Sequence, residues 1–131
     1  MNSYQNPSEL APPAGFSHVV KSSRRTTLHV AGQVAYDTQG RIVGVGDFAQ
    51  QVRQVYTNIR TALRHCGADM EDLVKTTIFV RDLTAEKIAT IRAVRKEFLA
   101  DHALPASTLI GVQALAKPEL MLEVEAVAMI D

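Results

Sequence analysis

Two carboxylates and two arginines are the residues whose types and spacing could do chemistry here. Glu123 and Glu125 alternate with apolar residues near the end of the chain, so both point to one face of a strand. A carboxylate held in a partly apolar cleft has its pKa raised by desolvation, which suits it to acid–base work on water or a nitrogen. The competing reading leaves both carboxylates solvated on an open sheet face. Arg95 lies between Ile91 and Leu99 at four-residue steps, in the middle of an apolar helical face. Either its stem covers apolar surface while its head reaches water, or its guanidinium holds a ligand carboxylate by a two-pronged contact at an interface pocket. Arg92 sits at the edge of the same face.

Other constellations carry less. Gly44-Val45-Gly46-Asp47-Phe48-Ala49 fits the G-x-G-x-x-A pattern of a dinucleotide site. Asp47, however, puts a negative charge where pyrophosphate would sit at the helix N-terminus. The preceding strand is only a few residues long, so the pattern reads as a glycine turn into a capped helix. His18, His29, His65 and His102 make no metal-binding spacing, and no nucleophile elbow or P-loop is present. Cys66 falls on the apolar side of its helix and is expected to be a buried, inert thiol.

The elements that must position these residues follow from pattern. The chain of 131 residues is 47% apolar and 21% charged, which fits one ordinary globular domain. The 14 basic residues balance 14 acidic ones, against the basic excess of a general nucleic-acid binder. No apolar run reaches the ~18 residues of a membrane span. The single cysteine points to a reducing, cytoplasmic setting. Residues 1–14 hold Pro7, Pro12 and Pro13 and no signal-peptide plan, so they read as an extended arm before a domain at 15–131.

Residues 19–33 have strand character, with Arg24-Arg25 near a turn. Asp37-Thr38-Gln39-Gly40 is a turn signal, with Arg41-Ile42-Val43 as a short return strand. Phe48, Val52, Val55, Ile59, Leu63 and Cys66 mark one face of a helix, with Asp47 and Gln50 as a capping box and Gly67 as the stop. Residues 74–80 read as a strand. Thr84 caps a second helix whose apolar face is Ile88, Ile91, Val94, Phe98 and Leu99. Two further strands are expected at about 107–112 and 121–130.

This order predicts an α+β domain, a mixed sheet with two helices on one face. On the last strand, Leu122, Val124, Ala126, Ala128 and Ile130 suit the helices, and Met121, Glu123, Glu125, Val127 and Met129 point away. In the strand at 73–80, Leu73, Lys75, Thr77 and Phe79 are expected opposite Val74, Thr76, Ile78 and Val80. Apolar side chains on the uncovered face predict that another copy of the chain covers it.

Several segments together resemble the RidA/YjgF group of enamine/imine deaminases. They are Val30-Ala31-Gly32-Gln33, the helix end His65-Cys66-Gly67-Ala68, Val74-Lys75-Thr76-Thr77-Ile78-Phe79-Val80-Arg81-Asp82-Leu83, Pro105-Ala106-Ser107-Thr108 and Leu122-Glu123-Val124-Glu125-Ala126-Val127-Ala128. The resemblance implies a chorismate-mutase-like fold and a homotrimer with small-molecule clefts between subunits. It implies hydrolysis of small enamines and imines to a 2-oxo acid and ammonia, with no metal or organic cofactor; the charge balance and the lack of a long apolar run add the expectation of no nucleic acid and no membrane as partners.

Residue by residue, it assigns Glu123 to the water and Gly32 to the lining of the cleft. Phe16 stands where a tyrosine is common, and Leu109 where a backbone N–H faces the ligand. Arg92 aligns with a polar residue of the second helix. The family's carboxylate-binding arginine is replaced by Ser107, whose hydroxyl cannot offer a charged two-donor fork. Two functions follow, and a third, the ribonuclease activity attached to some relatives, is set aside on the balanced charge and the absent metal-ligand spacing. The first is a hydrolase acting on a C–N bond, with Arg92 or Arg95 supplying the missing charge or a substrate without that carboxylate. The second is a non-catalytic metabolite-binding protein.

Overall fold

The strongest periodicity in the sequence produces the longest helix. The structure, a computed structural model, describes residues 1–131; in it Phe48–His65 form α1, with Val52, Val55, Tyr56, Ile59 and Leu63 fully buried. Asp47 caps it, accepting from the Gln50 N–H at 3.0 Å. The return half of the expected capping box is replaced by a turn, in which the Asp47 N–H donates to the Gly44 carbonyl at 2.9 Å. At the other end the Gly67 N–H donates to the Arg64 carbonyl (3.2 Å) and the Ala68 N–H to the Leu63 carbonyl (3.0 Å), a Schellman exit. That exit corrects the expectation for Cys66. It is the C-cap residue rather than a helical one, and its thiol is exposed. Ala68, beyond the turn, takes the buried place that helical spacing gave to the cysteine.

Six strands complete the fold: β1 Asn2–Gln5, β2 Val19–Ser22, β3 Thr26–Gln33, β4 Leu73–Arg81, β5 Ala106–Val112 and β6 Leu122–Ile130. β1 and β2 pair by themselves, and the main sheet runs β3-β6-β4-β5. β4 and β5 are parallel and the other main-sheet pairs antiparallel, so the sheet is mixed. The return strand expected after Gly40 shrinks to a single bridge between Tyr36 and Ile42. Asp37 Oδ1 holds that turn instead, accepting from the Gln39 and Arg41 N–H groups, both at 2.9 Å.

α2, Ala85–Arg95, crosses between the two parallel strands and is capped by Thr84, whose Oγ1 accepts from the Lys87 N–H at 3.2 Å. Its apolar stripe outlasts its α geometry. The Phe98 and Leu99 N–H groups both donate to the Arg95 carbonyl at 2.9 Å, and these turns bring Leu99 into the core.

Both helices pack on one face of the sheet. β6 buries Leu122, Val124, Ala126 and Ala128 on that side. In β4 the expected alternation fails at one end: Leu73 is buried together with Thr76, Ile78 and Val80. The register against β6 shifts between Leu73 and Lys75, and this irregularity turns Leu73 to the helix side. The open face keeps Phe79, Val127 and Met129 half-buried beside Lys75, Glu123 and Glu125. No helix is long and apolar enough to cross a membrane.

Asp69 links α1 to β4. It caps the 3-10 turn at Met70–Asp72, accepting from the Met70 N–H at 2.8 Å, and pairs with Arg64 at 2.9 Å. The backbone hydrogen bond first, and Arg64 after it, hold its carboxyl below the usual range. A carboxylate with a lowered folded pKa stabilises the fold above its unfolded value of about 3.9 and loses that contribution as pH falls through the folded value. Asp69→Asn should therefore flatten the acid limb of a stability–pH curve from urea unfolding and leave its shape above pH ~5 unchanged. An identical acid limb in the variant would contradict this.

Candidate functional site

The glutamate comes into place through a bulge. β3 spends one more residue than β6 between the pairs Val30–Ala126 and Gln33–Val124, and the extra length brings Gly32 over Glu123. A Cβ built on Gly32 would stand 2.8 Å from Glu123 Cδ and closer still to Oε2. Only glycine leaves the carboxylate that position. Glu123 is half-buried there, opposite Phe79 of β4, while Glu125 is exposed. Glu125 borders a separate depression of about 370 Å³ with His29, Lys75 and Thr77. Lys75 Nζ is already engaged, donating to Thr108 Oγ1 at 2.6 Å.

A second group assembles at the other face. The β4–β5 register sets Ser107 beside Thr76 and Leu109 beside Ile78. Thr76 and Ile78 point to the helix side, so Ser107 and Leu109 point there too, Ser107 half-buried and Leu109 exposed at the edge strand. Thr76 Oγ1 donates to Ser107 Oγ at 3.0 Å. The loop before β2 is tied to the start of β5 by the Ser17 N–H, which donates to the Pro105 carbonyl at 3.1 Å. This sets the Phe16 ring at the sheet edge, edge-on to His18 with centroids 5.3 Å apart.

Phe16, Arg92, Arg95, Ser107 and Leu109 then line one cavity of about 250 Å³, with Ile78, Ile88 and Ile91 as its apolar wall. A neighbouring cavity of about 220 Å³ shares Ala14, Arg92 and Arg95. Five of the seven residues singled out in the sequence thus meet in one place. Glu123 and Gly32 do not join them, because the sheet lies between.

Arg92 is exposed at the rim, whereas Arg95 is only 9% exposed. Its guanidinium nitrogens keep a small solvent contact, on the side of the two cavities that it lines. The loop closes over it at Gly15, where φ is +79° and a Cβ would stand 2.9 Å from Arg95 Nη2.

Spacing gave no warning of Tyr56, which flanks the main stripe of α1. Burial pushes its hydroxyl up to about 12, and the neighbouring Arg95 charge offsets only part of that. The hydroxyl has no hydrogen-bond partner of normal geometry. Gln51, also fully buried, is by contrast satisfied: Nε2 donates to the Gly44 (3.1 Å) and Glu119 (2.9 Å) carbonyls, and Oε1 accepts from the Met121 N–H (3.0 Å). No group of three His, Cys, Asp or Glu side chains is placed to hold a metal ion.

Residues 6–130 match the family model described as endoribonuclease L-PSP, which is the RidA/YjgF/RutC family. The chain belongs to the RidA family. It is 31% identical over 122 residues to the 2-iminobutanoate/2-iminopropanoate deaminase of Salmonella typhimurium, covering 92% of each chain. It is 33% identical over 104 residues to a RutC family protein of Synechocystis, covering 79% of this chain and 78% of that one. Among solved structures, a Rid family protein from Yersinia pestis superposes with a TM-score of 0.94 at 39% identity, covering 98% of both chains. RidA of an Antarctic Psychrobacter gives 0.72 at 26% identity, covering 92% of both. The two helices on a mixed sheet are therefore those of RidA-family structures.

In this RidA-family chain, Tyr56→Phe should leave stability unchanged or raise it by up to about 1 kcal/mol, since it removes a buried, unsatisfied hydroxyl. A loss above about 1 kcal/mol in urea unfolding would show instead that the hydroxyl is bonded to Arg95.

Proposed function

We propose that the protein hydrolyses a small imine or enamine to the corresponding oxo compound and ammonia, in a cleft that two copies of the chain complete within a homotrimer. The observation that carries this is the placement of Glu123. Its carboxylate is fixed against Gly32 on the open face, while the cavity holding Phe16, Ser107 and Leu109 opens on the helix side of the same sheet. Glu123 lines none of the five main cavities of the chain, so none of these contains both. A neighbouring copy that covers the open face brings its cavity edge to this Glu123, and also covers the half-buried Phe79, Val127 and Met129. The deaminase names of several relatives support the same chemistry.

The reaction needs little from the protein. Water adds to the carbon of the protonated imine while the Glu123 carboxylate takes one water proton, giving a neutral carbinolamine. Glu123 returns that proton to nitrogen and then takes the hydroxyl proton as the C–N bond breaks, so ammonia leaves, the carbonyl forms and the last proton passes from Glu123 to solvent. An enamine first takes a proton at carbon to become the imine. The free, exposed Cys66 thiol fits a reducing, cytoplasmic setting.

Ser107, in place of the family's arginine, favours a second reading: a cleft that binds a metabolite without turning it over. Such a protein would show ligand-induced thermal stabilisation alone. Ribonuclease activity, which the family's description names, finds no counterpart in a chain with 14 basic and 14 acidic residues.

The test generates 2-imino acids in situ with an amino-acid oxidase and traps them with semicarbazide. The protein should lower the trapped fraction. Glu123→Gln should reduce that effect by roughly 100-fold or more. Gly32→Ala, which drives the carboxylate from its place, should lose a comparable amount. Unchanged turnover in Glu123→Gln would contradict the mechanism.

A further inference from the structure

We infer that Arg95, from the second helix, is the anchor for a substrate carboxylate, and that the substrate is a small acid bearing an apolar substituent. The inference deepens the function proposed above and rests on it for the reaction; the binding it describes can be measured separately.

A guanidinium withdrawn from water is held by carboxylates or carbonyls wherever a fold can supply them, because an unpaired buried charge is costly. Arg95 is nine-tenths buried and has no such partner. The four ion pairs of the chain are Arg24–Asp72, Arg41–Asp37, Arg53–Glu97 and Arg64–Asp69. The acidic residue nearest in sequence, Glu97, is held by Arg53 through two bonds of 3.1 and 2.8 Å. Tyr56 is the polar side chain beside the guanidinium: its hydroxyl lies near enough for Arg95 to lower its pKa, has no bond of normal geometry, and brings no negative charge. What the Arg95 side chain does border is the pair of cavities that meet at Ala14.

The walls say what would fit. Arg92 stands on both cavities and Lys96 on one of them, against the single carboxylate of Asp101. The potential is positive where the guanidinium lies. Ile78, Ile88, Ile91, Leu109 and the Phe16 ring make the rest of the larger cavity apolar. Ser107 opens onto that cavity with a short hydroxyl, where an arginine would fill part of the space. An acid with a branched or extended apolar chain places its carboxylate at Arg95 and its chain against the isoleucines. Gly15 is part of the device, since any side chain there would collide with the guanidinium.

The probes are 4-methyl-2-oxopentanoate, a stable product analogue, and its carboxamide, with affinities read by calorimetry. The wild-type protein should bind the acid at least 10-fold more tightly than the amide, and more tightly than it binds pyruvate. Arg95→Met should weaken the acid by roughly 10- to 100-fold with little change for the amide, and Arg95→Lys should recover part of the loss. Equal affinity of the wild type for acid and amide would overturn the inference, as would undiminished acid binding by Arg95→Met. The wild-type comparison decides even if the variants fail to fold. Glu123→Gln should still bind the acid; acid binding without imine turnover by the wild type would refute the hydrolase and leave the anchor standing.

Discussion

Successive side chains of a β-strand point to opposite faces, and this period of two governs where each functional group can act. On β6 it sends Leu122 and Val124 to the helices and Glu123 to the open face. On β5 the pairing of Ser107 with Thr76 sends the serine to the helix side. A one-residue slip of either strand would exchange its two faces, and on β6 it would bury Glu123 and Glu125 in the core. The buried stripe of α1 holds the register on one side. The bulge of β3, with Gly32 at its crest, aims the glutamate on the other. The sheet itself thus separates Glu123 from the cavity that Ser107 and Leu109 line.

The second constraint is electrostatic. Arg95 is largely withdrawn from water and pairs with no carboxylate, an arrangement that opposes folding. The surroundings fit a ligand that arrives with the missing charge. Gly15 clears the space above the guanidinium, Thr76 holds the Ser107 hydroxyl, and the isoleucines shape the remainder. The proposed anchor puts the positive charge on α2 instead of on β5.

Much of this was legible in the sequence because it rests on short-range periodicity. The 4-3-4 spacing located α1, and alternation placed Glu123 on the open face. The resemblance named the family that the structure and the relatives support. Cys66 misled because a Schellman exit ends helical spacing one residue earlier than the stripe implied. Leu73 misled because alternation cannot register an irregular pairing. The burial of Arg95 was not readable. It depends on residues 14–16 folding back across α2, a contact between segments some 80 positions apart that leaves no periodic trace. Tyr56 escaped for the same reason, since what makes it unusual is a neighbour on another helix.

The central claim, that the glutamate and the arginine of one working site come from different chains, is tested by complementation. At substrate levels well below saturation, Glu123→Gln and Arg95→Met would each retain only about a tenth of wild-type turnover or less alone. Co-expressed in equal amounts and purified as mixed oligomers, they should recover roughly a quarter of wild-type turnover, because about one shared site in four receives both intact residues. Two defects on separate chains cannot repair a site that lies within one chain. Mixed oligomers as inactive as the two parents would contradict a shared site and return both residues to a single protomer.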